Sequence, residues 1–159
     1  MPHDERMAQK FGADRMPALK QRMTLMGQSE GIAMNFDRRI GNTRDAHRLV
    51  QLAKTKGSQV ENGVVSNLFK DHFEGGGDIT SRDMLLAAGE KGGLDRAEAG
   101  RWLEGDDGGR EVDRLVDEAN SKGIQGVPHF YINDRFEVSG AQDPQAFLEE
   151  FARAKAASA

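Results

Sequence analysis

Apolar residues recur every three or four positions over most of the first 122 residues, which is the spacing of one helix face. Glycine-rich or polar breaks, such as Gly57 and the run 75–77, interrupt this pattern. The pattern predicts six helices, over about residues 13–28, 42–57, 60–74, 81–91, 94–104 and 110–122. Thr80 with Asp83 three residues later predicts a capping box at the start of the fourth helix.

The apolar faces of these helices are the predicted core. They include Met16, Leu19, Met23 and Met26 on the first helix, Val64, Val65, Leu68, Phe69 and Phe73 on the third, and Val112, Leu115, Val116 and Ala119 on the sixth. Methionine fills irregular gaps in apolar interiors. The methionine stripe of the first helix is therefore expected to pack in the core rather than to face a ligand.

The pattern changes after residue 123, where β-branched and aromatic residues replace the helical spacing. Residues 127–132 and 136–139 read as two short strands, and Asn133 and Asp134 supply the turn of a hairpin. Asp143 followed by Pro144 then predicts the start of a last helix, which carries Phe147, Leu148 and Phe151. The expected fold is α+β and mostly helical, with a helical domain over 1–122 and a β-hairpin plus helix over 123–159.

A two-stranded hairpin is marginally stable in water by itself. The apolar residues of this hairpin are patterned for burial on at least one face, and nothing upstream supplies convincing partner strands. We therefore expect strands that would complete the sheet to be missing from this chain.

The charge balance and the distribution of apolar residues argue against two classes of partner, nucleic acids and membranes. The 159 residues carry 22 Lys and Arg against 26 Asp and Glu, a net charge of −4, with no dense basic stripe. Such a chain is a poor ligand for phosphate backbones, so no nucleic-acid partner is expected. No apolar run approaches the roughly 18 residues that span a bilayer, and no signal-peptide segment follows the N-terminus. The prediction is a cytoplasmic protein without a membrane partner.

The sequence contains no cysteine. This absence excludes thiolate nucleophiles, disulfides and Cys-x-x-Cys chemistry within these 159 residues. No catalytic residue is predicted. No metal site is predicted either, because a metal needs three or four converging ligands and the spacing shows no such set. His47 is expected to pack inside its helix and His72 to lie on a helix face.

Several segments resemble one family. The stretch from Gly123 to Ile132, Gly-Ile-Gln-Gly-Val-Pro-His-Phe-Tyr-Ile, looks like the strand entry Gly-Val-x-Gly-Val-Pro-x-Phe of thioredoxin-like proteins in the DsbA family. Residues 42–49, Asn-Thr-Arg-Asp-Ala-His-Arg-Leu, resemble a helix of its cytosolic FrnE-like branch. Residues 68–74 with 77–79, and 136–142 before the last helix, fit the same family in register.

The resemblance implies a thioredoxin core interrupted by a helical insertion domain. In such proteins a strand, a Cys-x-x-Cys helix and a second strand precede the insertion. Met1 falls where that insertion begins, so the N-terminal βαβ part is expected to be missing. The implied function is that of the thiol–disulfide oxidoreductase family, in a truncated or redox-inactive form.

The family's substrate loop aligns with Val127, Pro128 and His129. The resemblance implies a cis bond before Pro128 and pairing of the Val127 backbone with an extended peptide or thiol substrate. His129 stands where relatives often carry an apolar residue, and its imidazole could act as acid or base near a bound thiol. A plain structural role for each remains an alternative.

Two other functions stay open. The chain could be a non-catalytic binding module that self-associates through the unpaired hairpin edge. The chain could instead be a relative of glutathione-dependent isomerases and transferases. Gln142 or Asp143 would then contact glutathione near a helix N-terminus, which favours anions. Otherwise no cofactor is expected.

Overall fold

The structure is a computed structural model that describes residues 1–158. In chain order the helices are α1 (His3–Phe11), a 3-10 turn (Ala13–Arg15), α2 (Met16–Ser29), α3 (Arg44–Thr55), α4 (Ser58–Phe69), a π-helical segment (Lys70–Glu74), α5 (Arg82–Lys91), α6 (Arg96–Glu104) and α7 (Gly109–Ser121). The strands β1 (His129–Ile132) and β2 (Phe136–Ser139) and the helix α8 (Pro144–Ala157) follow. The chain divides into two compact units, Met1–Asp113 and a second that starts at Arg114.

The core of the first unit lies among α3, α4, α5 and α6. Its largest fully buried side chains are Leu49, Leu52, Val64 and Leu85. The helices approach closely where α5 ends, because a Cβ on Gly92 would lie 2.5 Å from the backbone nitrogen of Val64. A side chain at that position would force α4 and the end of α5 apart.

A buried arginine ties α3 to the end of α6 and the loop after it. Arg48 is only 3% exposed. Its Nε donates to the carbonyl of Asp107 (2.9 Å), and its Nη2 donates to the carbonyls of Trp102 and Gly105 (2.7 Å each). The indole of Trp102 donates back to the Arg48 carbonyl (3.0 Å). The guanidinium thus satisfies carbonyl groups that the end of α6 leaves unpaired.

The helix α1 is absent from the sequence prediction, which had no element before residue 13. Its apolar residues are few, and His3 is its one buried residue. It is held by the backbone: the amide of His3 donates to the carbonyl of Arg38 (2.8 Å), and the Ile40 amide donates to the Met1 carbonyl (2.8 Å). Long-range pairing of this kind leaves no hydrophobic period in the sequence.

Several residues predicted for the core are exposed. Met23, Met26, Phe69 and Val116 have exposed fractions of 36%, 52%, 60% and 52%. Of the predicted methionine stripe only Met16 is buried, because α2 packs mainly on α1 and the preceding turn rather than on the helices of the core. The expectation of core packing for that stripe was wrong, although the helix itself is present.

The cap of α5 also differs from the prediction. Ser81, not Thr80, is the N-cap, and its hydroxyl accepts from the Met84 amide (3.4 Å). The Thr80 hydroxyl instead donates to Asp78 Oδ1 (2.6 Å), and the Thr80 amide donates to the same oxygen (2.9 Å). Thr80 therefore belongs to a turn that precedes the helix.

The second unit contains the hairpin and α8. The strands pair antiparallel, with His129 opposite Ser139 and Ile132 opposite Phe136. Asn133 and Asp134 have positive φ of 51° and 55°, as the central residues of a type I′ turn do, and the Arg135 amide closes this turn on the Ile132 carbonyl (3.3 Å). The helix α8 packs on both strands, where Phe147 meets Phe130 edge to face with ring centres 4.9 Å apart.

The sheet has two strands in the part of the chain that the structure describes. Over residues 1–158 no helix has the length and apolar character needed to cross a membrane.

Candidate functional site

The candidate site is the loop between α7 and β1. The helix α7 closes in a left-handed turn at Gly123, whose φ is 71°. The amide of Gly123 donates to the Asn120 carbonyl, and the amide of Ile124 donates to the Ala119 carbonyl, both at 3.0 Å. This closure uses up the last carbonyl groups of the helix and releases the chain into an extended loop.

Val127 is the most exposed large apolar residue of the loop, with 90% of its surface accessible. Its peptide bond to Pro128 is cis. Within residues 1–158 neither the amide nor the carbonyl of Val127 has a hydrogen-bond partner. The Pro128 carbonyl, one residue on, accepts from the Gly140 amide (2.8 Å) and so anchors the loop to the end of β2.

The loop borders a cleft of about 360 Å³. Its walls are residues 123–129 from the loop and Ser139 and Gly140 from the end of β2. Gly123, Gly126 and Gly140 have no side chains, so backbone groups form much of the wall. A cleft lined by free backbone groups beside a strand suits an extended peptide.

His129 lies at the inner side of this cleft. Its side chain is only 12% exposed, and its Nε2 is buried without a hydrogen-bond partner in the described chain, 3.7 Å from Glu137 Oε2. Its ring packs on Tyr131, with centres 4.9 Å apart. The structure thus brings Val127, Pro128 and His129 to one cleft, with the imidazole turned into the unit.

Gln142 and Asp143 lie outside this cleft. The side-chain Nε2 of Gln142 donates to the Ser139 carbonyl (2.9 Å). Asp143 caps α8, since its Oδ1 accepts from the amides of Gln145 (2.9 Å) and Ala146 (3.4 Å). The carboxylate already occupies the position that an anion would take at this helix end. Contact of Gln142 and Asp143 with glutathione stays a prediction.

The histidines of the first unit line a second cavity, which no pattern in the sequence predicts. His47 and His72 line it together with His3 and Arg38. His47 is exposed rather than packed inside its helix. His72 is half-buried, with Nδ1 2.8 Å from the Gly77 carbonyl, and burial lowers its pKa. His3 and Arg38 come from α1 and an irregular segment, where no sequence period marks them.

Comparison with known proteins decides the family. The family model of the DSBA-like thioredoxin domain matches residues 2–152. The chain belongs to the DsbA-like thioredoxin family. A solved structure described as a probable DsbA oxidoreductase from Streptomyces coelicolor is similar, with a TM-score of 0.85 and 27% identity. The match covers 98% of this chain and 68% of that one. No curated protein sequence matches this chain.

The family match confirms the predicted DsbA-type, mostly helical thioredoxin-like fold. The chain thus belongs to an oxidoreductase family, although its own 159 residues contain no cysteine. The FrnE-like branch, the predicted domain boundary after residue 122 and the substrate-binding roles of residues 127–129 stay predictions.

Proposed function

We propose that these 159 residues supply the peptide-binding part of a DsbA-family thiol–disulfide oxidoreductase and perform no thiol chemistry themselves. The observation that carries the proposal is the exposed Val127 backbone, which offers an amide and a carbonyl without partners in the described chain. An extended peptide gains two main-chain hydrogen bonds there, as in the addition of a strand to a sheet edge.

The cleft beside Val127 supports the same function. Its volume of about 360 Å³ lies at the lower end of the range for small binding sites, enough to hold a peptide side chain. Its backbone-rich wall favours recognition of main chain over any one side chain. Binding is therefore expected to be broad in sequence, as an oxidoreductase of many unfolded substrates requires.

The lack of cysteine determines the chemical part of the proposal. Thiol–disulfide exchange needs a thiolate that attacks a disulfide sulfur through a mixed-disulfide intermediate. These residues contain no sulfur nucleophile of that kind. Exchange on a bound substrate would need a thiolate from outside these 159 residues, so the residues themselves are redox-inactive in that sense.

Two variants at one position test the binding role. Val127→Pro removes the amide donor, whereas Val127→Ala shortens an exposed side chain and keeps the backbone. We expect Val127→Pro to weaken binding of a fluorescein-labelled, alkylated and unfolded ribonuclease peptide about fivefold to tenfold in anisotropy titrations, the effect of one hydrogen bond of about 1–1.5 kcal/mol. Val127→Ala should bind like the wild type. Equal affinity for all three proteins would reject recognition through the Val127 amide.

The redox part needs a separate assay. In a dithiothreitol-driven insulin reduction assay, we expect the chain to give the uncatalysed rate, with thioredoxin as the positive control. A rate above the uncatalysed one would show that thiol chemistry proceeds without cysteine in this chain, and the redox-inactive form would have to be abandoned. Peptide binding could still stand in that case.

We further propose placement in the cytosolic FrnE-like branch, supported by Asn42-Thr43, which directly precedes α3, and by Ala46, His47 and Arg48 within that helix. In the structure Arg48 of this segment anchors the end of α6, which gives the motif a structural reason.

Self-association through the hairpin is the second candidate function. The sheet has only two strands in the described chain, and Phe130, Leu148 and Phe151 are 40%, 59% and 51% exposed. An unpaired strand edge next to exposed apolar side chains favours pairing with a second copy.

A further inference from the structure

A second cavity, of about 490 Å³, lies within the first unit. Its volume falls in the range of roughly 300–1,000 Å³ that is typical of small-molecule sites. Its walls come from α1, the segment before α3, α3, α4 and the π-helical segment. The apolar part of the wall includes Met7, Ala46, Val50, Val65, Leu68 and Phe73. Such a wall suits the hydrocarbon part of a ligand.

One cationic side chain in this wall is buried and poorly satisfied. Arg38 is 8% exposed. Its Nη1 donates to the Asn35 carbonyl, whereas its Nε is buried without a partner and its Nη2 makes no hydrogen bond within residues 1–158. In the same part of the chain no carboxylate oxygen lies within 4.0 Å of its guanidinium. A buried charge without a counter-charge is strongly unfavourable.

The surroundings of Arg38 give it only partial compensation. The rings of Phe73 and Phe36 lie 5.0 and 5.6 Å from its guanidinium carbon. Burial lowers the pKa of Arg38, and the nearby Asp4 carboxylate opposes that shift. Asp4 itself is bonded to Lys20 and His3. The positive charge of Arg38 therefore has no dedicated partner in the described structure.

The remaining polar wall residues carry no negative charge. They are His3, Thr43, His47 and His72, and no Asp or Glu lines the cavity. Neutral or protonated imidazoles and a hydroxyl can donate to an anion. The cavity thus combines an apolar wall with a cationic and donor-rich side.

We propose that this cavity binds a small apolar molecule with one carboxylate group, which pairs with the Arg38 guanidinium. The Nη2 atom makes no hydrogen bond in the described chain and is not fully buried, so it can donate to a carboxylate oxygen in the cavity, and the delocalised guanidinium charge strengthens that bond. The ligand supplies the missing counter-charge, and its hydrocarbon body fills the apolar wall. This site is separate in sequence from the peptide loop at residues 123–129 and does not depend on that loop's function.

Calorimetric titration of the full chain with octanoate and with 1-octanol tests the proposal. The two probes share a hydrocarbon chain and differ in charge. Arg38→Gln should weaken octanoate binding about tenfold to a hundredfold, the effect expected for hydrogen bonds to a charged group, and change 1-octanol binding by less than about twofold. Arg39→Gln is the matched control, because its neighbouring guanidinium is exposed and paired with Asp78.

A cavity-filling variant keeps the test valid if Arg38→Gln fails to fold. Val50→Trp leaves Arg38 in place and occupies the apolar part of the cavity, so it should abolish the binding of both probes. Thermal unfolding identifies any variant that is not folded. The proposal fails if the wild type does not bind octanoate, if Arg38→Gln and Arg39→Gln bind it equally, or if folded Val50→Trp binds it like the wild type.

Discussion

Replacement of Arg48 by methionine removes a buried guanidinium that holds three backbone carbonyl groups together. The Asp107, Trp102 and Gly105 carbonyls all accept from it at 2.7–2.9 Å. Methionine fills a similar volume but offers no donor. The ion pair of Arg48 with Asp45 adds little, because the Asp45 side chain is 57% exposed.

The expected loss follows from these contacts. A hydrogen bond from a charged donor contributes about 1.5–3 kcal/mol, and such contributions do not add. Each buried carbonyl group that is left without a donor costs about 1–3 kcal/mol more, which is the penalty for an unsatisfied buried acceptor. We therefore expect Arg48→Met to lower the free energy of unfolding of the first unit by about 3–5 kcal/mol. With a urea m-value near 2 kcal/mol/M the midpoint should fall by roughly 1.5–2.5 M.

Trp102 provides the assay, since it is the single tryptophan and donates to the Arg48 carbonyl. Urea unfolding followed by its fluorescence reports on the first unit alone. Arg44→Met is the matched control, because Arg44 pairs with Asp106 and Asp113 at the surface. A midpoint shift for Arg48→Met no larger than that for Arg44→Met would refute the structural role assigned to Arg48.

Three further outcomes follow from the structure. Asp95→Ala removes the cap of α6, whose carboxylate accepts from the Glu98 amide at 2.7 Å, and should cost about 1 kcal/mol in the same urea assay, whereas Asp95→Asn should retain most of that stability. The hydroxyl and amide of Thr80 hold the pKa of Asp78 below its usual value, so the Asp78 carboxylate stabilises the fold above about pH 4 and this stabilisation is lost as the pH falls through the lowered folded-state pKa. The difference in urea midpoint between wild type and Asp78→Asn should therefore shrink from about pH 6 to about pH 2. A constant difference would contradict this assignment. In sedimentation velocity runs the chain should show a larger species that grows with concentration, and a monomer at all concentrations would reject self-association through the hairpin.

The sequence was informative wherever local chemistry determines structure. The three- and four-residue spacing of Ala46, Leu49, Val50 and Ala53 predicts one apolar face of α3, and Ala46, Leu49 and Ala53 are buried while Val50 packs against the core. The dipeptide Asn133-Asp134 tolerates positive φ and marks the hairpin turn. Asp143 before Pro144 marks the start of α8, which begins there.

The sequence failed where structure depends on distant partners. Met23 and Met26 have the spacing of a buried helix face, yet they are exposed. Periodicity shows that a helix is amphipathic, but it does not show which element covers the apolar face. Arg38 and His3 approach each other through backbone pairing between α1 and the segment before α3, which no local pattern encodes. The cavity they line could therefore not be predicted, whereas the loop at Val127 could be located through its family motif.

The loop at residues 123–129 is proposed to bind extended peptide backbone. The most direct test is a ¹⁵N–¹H NMR titration of the chain with an alkylated, unfolded ribonuclease peptide. The largest shifts are expected on residues 123–127, His129, Ser139 and Gly140, with the Val127 amide among them. Shifts confined to residues 1–113, or no shifts at saturating peptide, would contradict it.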